Sequence, residues 1–317
     1  MSAKAWAAFA AMAFLWGIPY LFIKVAVDDG VPPVFLAWAR IVIAAVVLLA
    51  LAWRAGTLGS VRGRWRWILF FAVAEIAIPF PLIAIGEVHV DSSLAAIVIA
   101  AVPLIVALLA VGFAPAERAS GSRLVGLLIG FVGVVVLVGL DLTQSIGELL
   151  GALAILGAAV GYAIGPMLLR AKLAGLDARA TMGVSLGVAA VLLAPFAAID
   201  LPTETPSGDS LLSILVLGLF CTAVAFVVYS YLVSEVGAGR AVVITYVAPV
   251  VALALGVAVL DESPGPGAVV GLLLILAGSW ISTDGRMPPG LAAILARRRP
   301  RGDVAAASGG AVRELSL

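Results

Sequence analysis

Two ionisable residues stand inside long apolar stretches of this chain: Arg40 in a run at 33–53 and Glu75 in a run at 65–86. A charge at the bilayer centre costs about 2.5–3.5 kcal/mol on insertion scales, so such a residue faces a partner or a cavity. Glu75 lies about ten residues from either end of its run, near mid-depth at ~1.5 Å rise per residue, and Arg40 lies about seven residues inside the outer end of its own. Three uses are open to them. They can form an ion pair that locks two helices, Glu75 can bind a coupling proton, or Arg40 can hold a substrate carboxylate. Lys24, one turn before Asp28, reads as a cation snorkelling to the outer surface. The aromatic and hydroxyl residues Trp16, Tyr20, Tyr162, Thr222, Tyr229, Thr245 and Tyr246 suit either a substrate cavity or packing between helices.

Other chemistry is absent from the pattern. Cys221 is the one cysteine, which excludes an intrachain disulfide and a multi-cysteine metal site. His89, the one histidine, stands beside Glu87 and Asp91 in an expected outer loop and reads as solvated rather than as a metal ligand. No Walker A loop, zincin motif or Ser–His–Asp set appears. The expectation is no catalytic residue, no metal and no cofactor.

The elements that must hold these residues follow from composition. The chain is 63% hydrophobic and 12% charged, with a mean hydropathy of +1.21. Ordinary soluble domains are about 45–50% apolar and about 25% charged. The apolar runs predict helices over 5–27, 33–53, 65–86, 92–112, 123–140, 148–170, 180–199, 211–233, 239–260 and 267–284. A spanning helix needs roughly 20 apolar residues, and hydrocarbon demands that backbone groups be satisfied within the segment. The first run is too long for a signal peptide's apolar core and reads as a retained span. Prolines at 79, 81, 103, 166, 195 and 249 fall inside runs; Pro79, Pro103 and Pro249 are the expected kinks or moving points.

Of the 19 Lys and Arg residues, all but Lys24 and Arg40 fall in alternate connections or at the termini, with none in the loops 28–32, 87–91, 141–147, 200–210 and 261–266. The positive-inside rule then puts both termini in the cytoplasm, in a multi-pass protein of the cytoplasmic membrane. The net charge of +1 gives no reason to expect nucleic acid. Residues 285–317, with Arg297, Arg298, Arg299 and Arg301, read as a basic, disordered cytoplasmic tail resting on anionic headgroups.

The chain also repeats itself. Pro103, Glu117, Gly126 and Gly133 are answered by Pro249, Glu262, Gly271 and Gly278. The period is about half the chain, which signals duplication rather than a solenoid. Five helices per copy carry the chain across the bilayer an odd number of times, so the second copy is inverted, the arrangement found in secondary transporters. The expected units are 1–140, 141–284 and the tail at 285–317. Gly126 and Gly133 on one helix, and Gly271 and Gly278 on its counterpart, form small-residue faces suited to close packing within the chain or to dimerisation.

With Trp16–Gly17, Lys24 and Arg40 added to those two ordered sets, the chain resembles EamA-like permeases of the drug/metabolite transporter superfamily over residues 5–284. The resemblance implies ten helices in two inverted five-helix repeats and movement of a small-molecule substrate, often outward, by alternating access. Gly161–Tyr162 in place of Trp16–Gly17, and Glu75 itself, depart from that pattern. Two other classes stay open: a membrane enzyme acting on lipids, and a sensory or structural membrane protein. Partners beyond the bilayer and the substrate are limited to a second copy, giving a monomer or a homodimer.

Overall fold

The computed structural model describes residues 2–113, 121–141, 145–236 and 244–282. Glu117, Arg118, Arg240 and the tail at 285–317 lie outside them. Among the described residues the regular structure is helical, with no strand. Six helices there are long and apolar enough to cross a membrane, and four further apolar helices are shorter.

In chain order, α1 spans Ala3–Asp28 and is broken into Ala3–Gly17 and Pro19–Asp28. α2 spans Pro33–Arg54. α3 spans Trp65–Glu87 and contains a π turn at Val73–Ala77. α4 consists of Ser92–Ile99 and Val102–Phe113. α5 is Ser122–Asp141, α6 Ile146–Lys172 and α7 Ala178–Ile199. α8 joins Gly208–Gly218 to Ala225–Val236 through a second π turn at Leu219–Val224. α9 is Ile244–Val259 and α10 Pro266–Ser282.

The breaks have local causes. Pro19 and Pro79 each open the second piece of their helix, where the missing N–H costs nothing. In α3 the π turn closes when the Ile78 N–H donates to the Val73 carbonyl at 3.1 Å. α8 has no proline at its π turn. There Thr222 Oγ1 donates to the Leu217 carbonyl at 2.8 Å, satisfying an acceptor beside the widened turn. The expected pairing of Pro103 with Pro249 does not extend to local geometry. Pro103 sits in the first turn of a helix piece that follows a break at Ala100–Ala101, whereas Pro249 lies inside an unbroken helix. Pro166 and Pro195 are likewise accommodated in continuous helices.

The packing is orderly. α1 packs on α8 and α9, and α6 packs on α3 and α4. α2 packs on α7 and also on α8, while α7 packs on α3. α5 lies along α10, and α4 along α9. Glycines make the α5–α10 contact close: a Cβ on Gly278 would stand 2.6 Å from the Gly126 carbonyl oxygen, and one on Gly133 would stand 2.8 Å from the Ile275 nitrogen. The small faces of these two helices therefore occupy each other within one chain. Leu128, Phe131 and Val135 on α5 and Val191 and Phe196 on α7 point outward. Such a belt suits lipid, since the bundle interior is already filled.

One contact ties the two halves of the sequence at a helix end. Glu262, just past α9, presents Oε1 and Oε2 to the backbone N–H groups of Ser92 and Ser93 at 2.8 and 3.0 Å. The carboxylate caps the N-terminus of α4, where free N–H groups and the helix dipole favour an anion. Asp177 caps α7 in the same manner, accepting from the Arg179 and Ala180 N–H groups.

Candidate functional site

A column of polar and aromatic side chains runs through the bundle where its helices are broken. Arg40, on α2, is 4% exposed, and its guanidinium lies over the Phe80 ring at 3.8 Å from the centroid. The Arg40 Nε has no hydrogen-bond partner. Within electrostatic reach of the guanidinium are Tyr162 on α6, Cys221 in the π turn of α8, Glu87 at the end of α3, and Tyr20 just past the break in α1. Phe80 itself follows the break in α3. One continuous helix thus offers its cation to three interrupted ones.

Glu75 stands in the π turn of α3, the rare helical form that clusters at functional sites. Its Oε2 is enclosed without a hydrogen-bond partner. Gly165 of α6 lies directly against that oxygen, and Gly161 lies against the Ala74 carbonyl. A side chain at either position would push α6 off the π turn. Tyr162 and Tyr229 are the titratable neighbours that Glu75 reaches. Tyr229 then packs against Trp16, the two rings tilted by 38° with 4.9 Å between centroids. The series Glu87, Tyr20, Arg40, Tyr162, Glu75, Tyr229 and Trp16 is therefore linked step by step along the protein.

Of the three uses open to Arg40 and Glu75, the ion pair between them is not formed: each keeps an unpartnered atom, and the acid that Arg40 feels is Glu87. Glu87 is also the residue that sequence reasoning misplaced. It is not in a loop with His89 and Asp91 but is the last residue of α3, 0% exposed, with neither carboxylate oxygen hydrogen-bonded. Lys24 meets the backbone at that helix end. The Lys24 Nζ donates to the Glu87 backbone carbonyl at 3.0 Å and pairs with Asp28 at 2.9 Å, so the lysine fastens α1 to the end of α3 as well as reaching the surface. The Thr222 hydroxyl is occupied by Leu217. Thr245 on α9 is half-buried, and the side chain of Tyr246 lies outside the described residues.

Two cavities are lined by residues outside the column. One of about 300 Å³ is lined by His89, Asp91, Ser93, Glu148 and Ser263. The other, of about 220 Å³, is lined by Leu48, Asp177, Arg179, Phe226 and Ser230. Burial and the nearby Glu262 hold the Asp91 carboxyl above its ordinary range. At the second cavity, hydrogen bonding from Arg179 pulls Asp177 down to about 2. Among the described residues no cluster of histidine, cysteine and acidic side chains has metal-binding geometry.

The sequence matches the EamA-like transporter family twice, at residues 4–139 and 149–283. The chain belongs to that family. It is similar to the inner-membrane transporter YedA of Escherichia coli K12, 31% identical over 78% of this chain and 79% of YedA. It is 27% identical to a transporter of Archaeoglobus fulgidus over 88% of this chain and 98% of that one. A probable amino-acid metabolite efflux pump of E. coli K12 is 26% identical over 86% of this chain and 92% of the pump. A crystal structure superimposes with a TM-score of 0.64 at 24% identity, covering 94% of this chain and 99% of its own, which shows a shared fold. The EamA-like protein is thus a multi-pass membrane transporter, not an enzyme.

Proposed function

We propose that this EamA-like protein is a secondary transporter that exports small metabolites or amphipathic organic compounds across the cytoplasmic membrane. It works by alternating access between two inverted five-helix halves, 1–140 and 141–284. The observation that supports the reading is a correspondence in which helices pack together. Each packing of α1 on α8 and α9, or of α2 on α8, is answered by the packing of the helices five places away, α6 on α3 and α4, and α7 on α3. The π turns begin at Val73 and Leu219, the same separation as Pro103 and Pro249. A family match in each half supports the same division.

The linked column lies between these halves and supplies the path. Breaks in α1, α3, α4 and α8 supply points where pieces swing without unfolding a helix. The basic connections set both termini in the cytoplasm. Mutual occupation of the α5 and α10 glycine faces supports the single chain as the working unit. The name of the efflux-pump relative supports amino-acid metabolites among the solutes to be tried first. Glu75, enclosed in a π turn, serves as the proton-binding group of the cycle.

Counterflow in proteoliposomes tests this directly. Purified protein loaded with a candidate solute accumulates the labelled solute from outside and returns it chemically unchanged. Solute altered in the process indicates a membrane enzyme, and absence of exchange across a broad metabolite panel refutes the transporter cycle.

A further inference from the structure

The bundle sorts into two packing groups: α1, α8 and α9 form one, and α3, α4 and α6 the other. The groups meet at the end that carries the connections 28–32, 87–91 and 261–266, which is outer on the positive-inside reading. There the Pro19–Asp28 piece of α1 packs on the Pro79–Glu87 piece of α3 and on the Ser92–Ile99 piece of α4. That piece of α4 also packs on α9. The remaining pieces take other neighbours: Ala3–Gly17 packs on α8 and α9, and Val102–Phe113 packs on α5, α6 and α10. The breaks at Ile18 and Ala100–Ala101 therefore divide the part of each helix that reaches the other group from the part that packs elsewhere.

Three hydrogen bonds hold the meeting. Glu262 accepts from the Ser92 and Ser93 N–H groups at 2.8 and 3.0 Å, and Lys24 Nζ donates to the Glu87 carbonyl at 3.0 Å. Each uses a backbone group left over at a helix end. Water satisfies such groups as well as a side chain does, so this contact can part without orphaning them. The cavity of about 300 Å³ lined by Ser93, Ser263 and Gly265 leaves room for water beside it. Gly256 in turn leaves room for the carboxylate: a Cβ there would collide with Glu262 Oε2 and stand 3.2 Å from Ser92 Oγ.

From this geometry we infer that Glu262 and Lys24 form the outer gate of the transport path, a latch between the two groups that opens for each passage and then recloses. The inference rests on the transporter reading and its orientation, and names the residues that set the outer opening. Asp29 provides the contrast. It too joins the two halves of the sequence at this end, accepting from the Ser207 N–H at 3.3 Å and from the Ser210 hydroxyl at 2.5 Å. But α1 and α8 belong to one packing group, so that contact stays made while the gate opens.

Double electron–electron resonance reads this gate without a known solute. In the full chain in proteoliposomes, with Cys221→Ser, nitroxides are attached to cysteines at Ile146 and Asp209, the exposed starts of α6 and α8, one in each group. With the latch intact one short distance dominates. Glu262→Gln adds a longer one, and the long-to-short ratio rises about 30-fold as the charge-assisted hydrogen bonds are weakened. Lys24→Met moves the ratio the same way. So does Gly256→Ala, which displaces only the flexible end of the Glu262 side chain and keeps every charge, while Asp29→Asn leaves the ratio alone. The inference is overturned if Glu262→Gln, Lys24→Met and Gly256→Ala all leave the ratio unchanged, or if Asp29→Asn raises it as much as they do. Counterflow on the same samples separates the gate from the reading it rests on. Solute exchange with an unmoved ratio sinks the gate and leaves the transporter standing. A shifted ratio with no exchange across a broad metabolite panel establishes a moving latch and refutes the transporter.

Discussion

The carboxylate of Glu262 on the first turn of α4 is the perturbation with the most calculable result. It joins the end of α9 to the start of α4 through two hydrogen bonds of 2.8 and 3.0 Å to backbone N–H groups. A hydrogen bond to a charged group contributes about 1.5–3 kcal/mol, against about 0.5–1.5 for a neutral one. Glu262→Gln leaves one neutral acceptor and turns an amide N–H toward the other backbone N–H. Glu262 is only half-buried, and water replaces part of what is lost. The expected loss is about 2 kcal/mol of closed over open contact, roughly a 30-fold change in the equilibrium at about 1.4 kcal/mol per tenfold. Hydrogen–deuterium exchange reads it locally: the amides of the first turn of α4 should exchange some 30-fold faster in the variant, with α5 and α10 unchanged. Equal exchange in wild type and Glu262→Gln would refute the capping argument, because those amides would then owe their protection to something else.

Further outcomes follow from other contacts. Gly278→Ala places a methyl against the backbone of Gly126 and Gly130, so α10 must retreat from α5. The expected cost is about 1–3 kcal/mol, read as lower thermal stability in detergent, with Gly59→Ala, which meets open space, as the unaffected control. Asp177→Ala removes the cap of α7 and should cost about 1 kcal/mol. Because Asp177 is held down to about 2 in the folded protein, its contribution is fully present above the ordinary carboxylate pKa and is lost as pH falls through about 2. The difference between wild type and variant should therefore stay constant from neutral pH to about 5 in pH-dependent melts. Glu75→Gln should make counterflow independent of pH, and a retained pH profile would exclude Glu75 as the coupling group.

Much of this was legible in the residues, and the exceptions have physical reasons. The spacing shared by Pro103 and Pro249 with their glycines agrees with a family match in each half of the chain, and hydropathy placed the helices. The break in α1 was also written in the sequence, as Gly17–Ile18–Pro19, but it was masked by the length of the apolar run. The π turns were not readable, because widening a turn depends on what packs against it: at Glu75 this is the glycine pair on α6, far along the chain. Glu87 was read as a loop residue because an acid at the end of an apolar run usually marks the membrane surface. Lys24, brought over from α1, donates to the backbone carbonyl at that helix end, a contact that spacing along the chain does not reveal. Arg40 was recognised as a functional candidate, but its acidic neighbour was not the expected one, since depth along a helix does not tell which face the neighbours present.

The central claim is that the second half of the chain is inverted relative to the first. In a Cys221→Ser background, single cysteines at Ser122, at the start of α5, and Ser263, in the connection before α10, can be labelled in intact cells with a membrane-impermeant maleimide. Inversion predicts that Ser263→Cys is labelled from outside while Ser122→Cys is labelled only after the membrane is opened. Labelling of both from the same side would contradict it.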